Sequence, residues 1–92
     1  MISVIEKPAF KKAYKKLHSE EKRFVDEAIH SIIQNPTIGQ LKKGDLLGLS
    51  VYKFKVNRQE KLLAYVFNAA QILLVSLGSH ENFYRDLKKS RY

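Results

Sequence analysis

The chain of 92 residues contains no cysteine, and it has only 9 acidic residues against 17 lysines and arginines. The lack of cysteine excludes a disulfide framework and a zinc site built on thiolates, and it favours an intracellular protein. No apolar run approaches the roughly 20 residues that cross a membrane. Residues 1–7 also lack the apolar core of a secretory signal. We therefore expect a cytoplasmic protein with no membrane partner.

The shortage of acidic residues leaves a formal net charge of +8 and a pI near 9.8. On so short a chain this charge favours a polyanionic partner, nucleic acid before a membrane. The alternative is a basic protein whose charge only keeps it in solution. The length allows one domain, residues 1–92, with a single core and no separate cofactor domain.

The N-terminal half predicts a short strand at residues 3–5 and then two helices. The apolar stripe of the first helix has spacing i, i+3, i+4 and i+7 and consists of Phe10, Ala13, Tyr14 and Leu17. Ser19 is a suitable N-cap for the second helix, whose apolar spacing continues until Asn35 and Pro36. We expect the two helices to form an antiparallel hairpin.

The C-terminal half predicts three strands and a closing helix. Residues 49–56 alternate, whereas residues 62–67 and 72–77 are almost continuously apolar, which is typical of inner strands covered on both sides or on most of one. The short connections, residues 57–61 among them, suit antiparallel hairpins. Ser79 can cap a final helix that directs Phe83 and Leu87 to the core, so the predicted order is βααβββα.

Alternation in the first of these strands places Lys53 and Lys55 side by side on one face, while aromatic and aliphatic side chains take the other. Arg58 and Lys61 follow in the predicted hairpin loop. We expect these four cations to share one edge or face of the sheet, which favours an anion site. Lysines of the first helix can also clamp a phosphate backbone or merely form a solvated face; they are Lys11, Lys12, Lys15 and Lys16.

His80 and Tyr84 lie one helical turn apart in the closing helix. A helix N-terminus attracts phosphate, and an imidazole transfers protons near neutral pH. An aromatic ring can stack on a base, so the pair resembles two components of an RNA-cutting site. The alternative is a tolerated polar residue followed by a packing aromatic.

The remaining titratable residues are weaker candidates. His18, in the turn between the helices, and His30 have no neighbouring ligand residue, and the histidines lack metal-site spacing. Glu60 and Glu81 are possible general bases, but we expect surface acids, Glu60 in the hairpin loop. The chain has no glycine-rich phosphate loop. We therefore predict no metal and no cofactor.

In order and spacing, the chain resembles the RelE/ParE superfamily of bacterial type II toxin-antitoxin toxins from end to end. The resemblance rests on the two-helix N-terminal half and on residues 47–55, 63–67 and 73–80. It implies an α+β, microbial RNase-like fold: a helical hairpin on a twisted antiparallel sheet, with a C-terminal helix. It also implies a metal-independent endoribonuclease that cuts mRNA in the ribosomal A site by attack of the 2′-hydroxyl.

By this resemblance, Lys53 and Lys55 match the paired strand cations of the RelE branch. His80 lies where that branch has a catalytic arginine and where the YafQ-like branch has a catalytic histidine. Tyr84 matches the aromatic position of the closing helix. Lys53 and Lys55 would stabilise the phosphate, and one of them could also assist as a general base. His80 would transfer a proton, and Tyr84 would stack on or orient a nucleobase.

One position departs from the RelE pattern. Leu62 stands where RelE-like enzymes have a strand arginine, so Arg58 or Lys61 would have to supply that charge and bind the RNA backbone. The implied partners are a cognate antitoxin protein, the ribosome and mRNA. The alternatives are a ParE-like toxin that inhibits DNA gyrase without hydrolysis and a non-catalytic nucleic-acid-binding module. A gyrase inhibitor does not need the lysine pair and His80.

Overall fold

The structure is a computed structural model that describes residues 2–44, 48–79, 83–85 and 87. Its elements are β1 (Ser3–Glu6), α1 (Pro8–Lys15), α2 (Ser19–Gln34), a 3-10 turn (Pro36–Ile38), β2 (Gln40–Leu41), β3 (Ser50–Val56), β4 (Gln59–Phe67) and β5 (Gln71–Ser79). Residues 83–85 and 87 are helical and belong to the predicted C-terminal helix. The α+β order is confirmed, with β2 as an unpredicted addition. Within the described ranges, no helix has the length and apolar character needed to cross a bilayer.

The five strands form one sheet in the order β1-β5-β4-β3-β2. The pairs β2–β3, β3–β4 and β4–β5 are antiparallel as expected, whereas β1 runs parallel to β5. Ser3 pairs with Gln71, a partner far away in sequence. Local sequence patterns do not encode the direction in which two such distant strands pair. The expectation of an antiparallel sheet is therefore wrong for β1.

Two hydrophobic clusters cover the two faces of the sheet. The face under α1 and α2, here the hairpin face, contributes to a cluster of Phe10, Val25, Ile32, Leu63, Tyr65, Ile72, Leu74 and Leu77. The other face, here the opposite face, packs against the C-terminal helix in a cluster of Leu49, Val51, Leu62, Ala64, Val75, Phe83 and Leu87. Strands β4 and β5 contribute to both clusters. This explains their continuous apolar runs.

The α1–α2 turn differs from the prediction by one residue. His18, and not Ser19, is the N-cap of α2, and its backbone N–H donates to Oε1 of Glu21 over 3.0 Å. Backbone N–H groups at the start of a helix have no partner within the helix, and this bond satisfies one of them. The helix therefore begins one residue earlier than it would with Ser19 as the N-cap. The Tyr14 hydroxyl donates to Oδ1 of Asp26 over 2.8 Å and joins the two helices.

The turn between β3 and β4 is shorter than predicted. Asn57 and Arg58 have positive φ angles of 51° and 72°, as a type I′ hairpin turn requires at its two central positions. The predicted loop over residues 57–61 is therefore wrong, and Glu60 and Lys61 lie in β4. Backbone pairing extends the ladder through polar residues that a hydrophobic pattern does not reveal.

Candidate active site and nucleic-acid interface

Strand β3 presents Lys53 and Lys55 together on the opposite face of the sheet. Both side chains are exposed, and Val51 is buried on the same face at 2% exposure. Tyr52 and Phe54 point the other way and pack on the hairpin-face cluster. The predicted division of this strand into a cationic and an apolar face is confirmed.

Cross-strand pairing sets the distance from these lysines to the end of β5. Lys53 pairs with Leu62, and Leu62 pairs with Gly78. Neighbouring strands are about 4.8 Å apart, so Lys53 and Gly78 lie about 10 Å apart across the opposite face. His80 follows the last residue of β5 in the sequence. His80 and Glu81 lie outside the described residues.

A carboxylate stands beside the lysine pair. Glu60 is directly opposite Lys55 in the β3–β4 ladder, and both side chains are exposed. Directly opposite residues have Cβ atoms about 4.5–5.5 Å apart. The pairing of Glu60 with Lys55 was not predicted, because Glu60 was assigned to a loop. It places one negative charge at the edge of an otherwise cationic surface.

Lys61 is separated from the other strand cations. It alternates with Leu62 and therefore faces the hairpin side, where it lines a cleft of about 230 Å³ together with Lys16, Glu21 and apolar residues. The expectation was that the four cations share one edge or face of the sheet. A shared face is wrong for Lys61, because β4 already includes this residue and successive strand side chains alternate. Arg58 is exposed in the turn itself.

The lysines of α1 also lie away from Lys53 and Lys55. The apolar residues of α1 pack on the hairpin-face cluster, so its exposed lysines point outward on the far side of the sheet. They include Lys11, Lys12 and Lys15. His18 and His30 are exposed. In the described part of the chain, no three potential metal-ligating side chains come together.

Tyr84 is half-buried against the opposite-face cluster. Its ring makes an edge contact with Phe83, with centroids 5.4 Å apart, and Nζ of Lys42 lies 5.0 Å from the ring centroid. Tyr84 is thus both a packing residue and part of the surface. A cation at this distance from an aromatic face is attracted by the ring.

Two polar residues at the sheet edge, Gln40 and Lys42, were not identified as site residues from the sequence. Gln40 pairs with Val51, and the backbone N–H of Lys42 donates to the carbonyl oxygen of Leu49 over 2.8 Å. Nζ of Lys42 donates to Oε1 of Gln40 over 3.1 Å. No sequence signal marks these residues, because a two-residue strand has no measurable periodicity.

Tyr65 connects the central sheet to the segment before β2. Its side chain is fully buried, and its hydroxyl accepts from the backbone N–H of Gly39 over 3.0 Å and donates to the carbonyl oxygen of Pro36. Burial raises the pKa of Tyr65 above its usual value. Sequence analysis missed this role because the partners are remote in sequence.

Comparison by sequence identifies a family. Residues 4–88 match the sequence model of a family described as the ParE-like toxin of type II bacterial toxin-antitoxin systems. A search among curated proteins found no match.

Several solved structures have the same fold. A chain of the intact E. coli RelBE toxin-antitoxin complex has a TM-score of 0.69 and 18% identity, covering 88% of this chain and 99% of that one. A doubly substituted E. coli RelE toxin in the free state has a TM-score of 0.72 and 15% identity, with coverages of 98% and 92%. The YoeB dimer from Staphylococcus aureus has a TM-score of 0.65 and 22% identity, with coverages of 86% and 97%. At these identities the likeness establishes the fold.

Proposed function

This chain belongs to the ParE-like toxins of type II bacterial toxin-antitoxin systems, within the RelE/ParE superfamily, and we propose that it is an endoribonuclease that cuts mRNA in the ribosomal A site. The observation that carries the proposal is the exposed pair Lys53 and Lys55, about 10 Å from the end of β5. A toxin that only occupied a protein target would need neither this pair nor a histidine at position 80.

The proposed reaction is attack of a ribose 2′-hydroxyl on the adjacent 3′ phosphate. The bond from the 2′ oxygen to phosphorus forms and the bond to the 5′ oxygen breaks, leaving a 2′,3′-cyclic phosphate and a free 5′-hydroxyl. The reaction needs a proton acceptor, positive charge at the phosphorane and a proton donor for the 5′ oxygen. We assign positive charge at the phosphorane to Lys53 and Lys55 and orientation of a nucleobase to Tyr84. His80 transfers the proton from the 2′-hydroxyl to the departing 5′ oxygen, and one of the lysines assists as the proton acceptor.

The other cations have supporting roles in this proposal. Arg58, exposed in the hairpin turn, contacts the RNA backbone. The α1 lysines, on the far side of the sheet, contact ribosomal RNA and not the cleaved mRNA; these are Lys11, Lys12 and Lys15. The site has few catalytic groups, so the ribosome holds the mRNA with its 2′ oxygen in line with the 5′ oxygen that leaves. The toxin acts in the cytoplasm, and a cognate antitoxin neutralises it by covering its basic surface.

The test uses the full chain and translating ribosomes, with mRNA ends mapped by primer extension. We expect new ends beside A-site codons, and we expect His80→Ala to bind ribosomes without producing them. A parallel assay measures DNA supercoiling by gyrase, because the family description is ParE-like. Absence of new ends together with lost supercoiling would replace this proposal with gyrase inhibition. Ribosome binding without cleavage by the parent chain would indicate a non-catalytic binding module.

A further inference from the structure

The edge strand β2 brings a polar side chain next to Lys53 that the reaction described above does not use. Gln40 pairs with Val51, so Gln40 and Val51 point to the same face, and Lys53 is the next residue on that face of β3. Gln40 and Lys53 are therefore diagonal neighbours, about 7–8 Å apart. A group bound by Gln40 would lie close to a phosphate held by Lys53.

A recess of about 240 Å³ lies between these two residues. Its walls combine apolar groups with two polar ones, and they consist of Ile38, Gln40, Val51, Tyr52 and Lys53. The recess thus offers apolar surface for the face of a planar ring and hydrogen-bonding groups for its edge. Beside a phosphate site, the heterocycle that fits this description is a nucleobase of the same RNA strand.

Lys42 determines which way the amide of Gln40 faces. Its Nζ lies 3.1 Å from Oε1 of Gln40 and 5.0 Å from the centroid of the Tyr84 ring. A lysine ammonium group only donates hydrogen bonds, so the carbonyl oxygen of the amide must face it. The amide nitrogen of Gln40, with two N–H donors, is the group left for a ligand.

We propose that this recess is a nucleobase subsite that selects keto bases over amino bases next to the phosphate held by Lys53. Guanine and uracil present an acceptor oxygen where adenine and cytosine present an amino group. Gln40 and Lys53 both offer donors here, so a keto oxygen is bound and an amino group meets only donors. The inference rests on the proposed function, because it concerns RNA in the same site.

Within this subsite, Gln40 is the residue that contacts the base and Lys42 is a positioning residue. Lys42 acts by orienting the amide of Gln40 and by its contact with the ring of Tyr84. Lys43, its exposed neighbour in sequence, has no part in this arrangement and provides a matched control.

The experiment measures cleavage by the full chain on ribosomes whose A-site codon is randomised, with the ends sequenced. The wild-type chain should prefer guanine and uracil over adenine and cytosine at one codon position. Gln40→Glu replaces the donors by acceptors at constant size and should move that ratio by roughly tenfold towards adenine and cytosine. Gln34→Glu, the same chemical change at the exposed end of α2, should leave the ratio unchanged.

Further variants keep the test informative if Gln40→Glu does not fold, which circular dichroism would reveal. Gln40→Ala should abolish the base preference without inverting it. Lys42→Ala should weaken the preference, whereas Lys42→Arg and Lys43→Ala should retain it. A purely structural role for Lys42 would lower all cleavage rates equally and leave the ratio unchanged.

Two results would overturn the subsite. One is a wild-type chain that cleaves without distinguishing keto from amino bases at any codon position. The other is a preference that persists unchanged in folded Gln40→Glu and Gln40→Ala. Absence of cleavage by the wild-type chain on any codon would instead refute the proposed function, and the subsite with it.

Discussion

The hydroxyl of Tyr65 accepts a hydrogen bond of 3.0 Å from the backbone N–H of Gly39. Tyr65 is fully buried in β4, and a Cβ atom placed on Gly39 would lie 2.6 Å from its hydroxyl oxygen. Gly39 is therefore required for the close approach of backbone and ring. This contact holds the segment that leads into Gln40, so the position of the proposed base subsite depends on the sheet core.

Removing this hydroxyl should destabilise the protein. Tyr65→Phe leaves the N–H of Gly39 and the carbonyl oxygen of Pro36 without their partner, so we expect a loss of about 1–3 kcal/mol in the free energy of unfolding. Urea denaturation measures it. Tyr52→Phe, at a half-buried position on the same face, is the control. Equal urea midpoints for Tyr65→Phe and the parent chain would contradict the anchoring role.

The same residue should make stability sensitive to alkaline pH. Burial raises the pKa of Tyr65 in the folded protein, so above a pH of about 10 the unfolded chain loses this proton first. The folded state then binds more protons than the unfolded state, and stability falls as pH rises. We expect the decline in unfolding free energy above this pH to be smaller in Tyr65→Phe. An identical decline in both proteins would show that other groups cause it.

The lysine pair should control cleavage and not folding. Lys53→Met and Lys55→Met each remove a cation from the phosphate site, and we expect the single-turnover rate on ribosomes to fall by roughly 10²–10³-fold. Both side chains are exposed, so thermal stability should change little. Lys61→Met removes the same charge from the hairpin face and should affect the rate much less. Equal losses in all three variants would mean that only overall charge matters.

Replacing Arg58 in the turn by glycine should stabilise the fold and weaken the binding of RNA. Its φ of 72° is unfavourable for arginine and favourable for glycine, so Arg58→Gly should raise the free energy of unfolding by about 0.5–1 kcal/mol. The lost phosphate contact should reduce the salt dependence of RNA binding by about 0.7 in the log–log slope.

A neutral change in the same turn separates the two effects. Asn57→Gly also relieves a positive φ, of 51°, but removes no charge. We expect it to change stability slightly and to leave the salt dependence of RNA binding unaltered. If Arg58→Gly likewise leaves that slope unaltered, Arg58 does not contact the RNA backbone.

Much of the fold was predictable because its signals are local. The apolar spacing of α1 and the alternation in β3 each occupy only a few residues, and the alternation is confirmed. The spacing is confirmed for Phe10, Ala13 and Tyr14, whereas Leu17 lies beyond the end of α1 and still packs on the hairpin-face cluster. The continuous apolar runs of β4 and β5 also identified the inner strands correctly. The direction of β1 was not predictable, because it depends on pairing with a strand at the other end of the chain.

The site residues were likewise predictable only where the signal is local in sequence. Alternation within one strand was enough to join Lys53 to Lys55. The wrong assignment of Lys61 came from the hairpin, where a two-residue turn extends β4 through polar residues. Glu60 was assigned to the loop for the same reason. The role of His80 stays a prediction, since this residue lies outside the described ranges.

The sequence by itself determined the charge, the order of the helices and of the strands other than β2, and the lysine pair, because each follows from composition or from short-range periodicity. Only the tertiary structure decided that Lys61 faces the hairpin side, that Gln40 lies diagonally across from Lys53 and that Lys42 contacts Gln40. These relationships arise from strand register and from packing between distant segments. A strand of two residues has no pattern of its own, and its place is set by backbone pairing with β3 and by the buried hydroxyl of Tyr65.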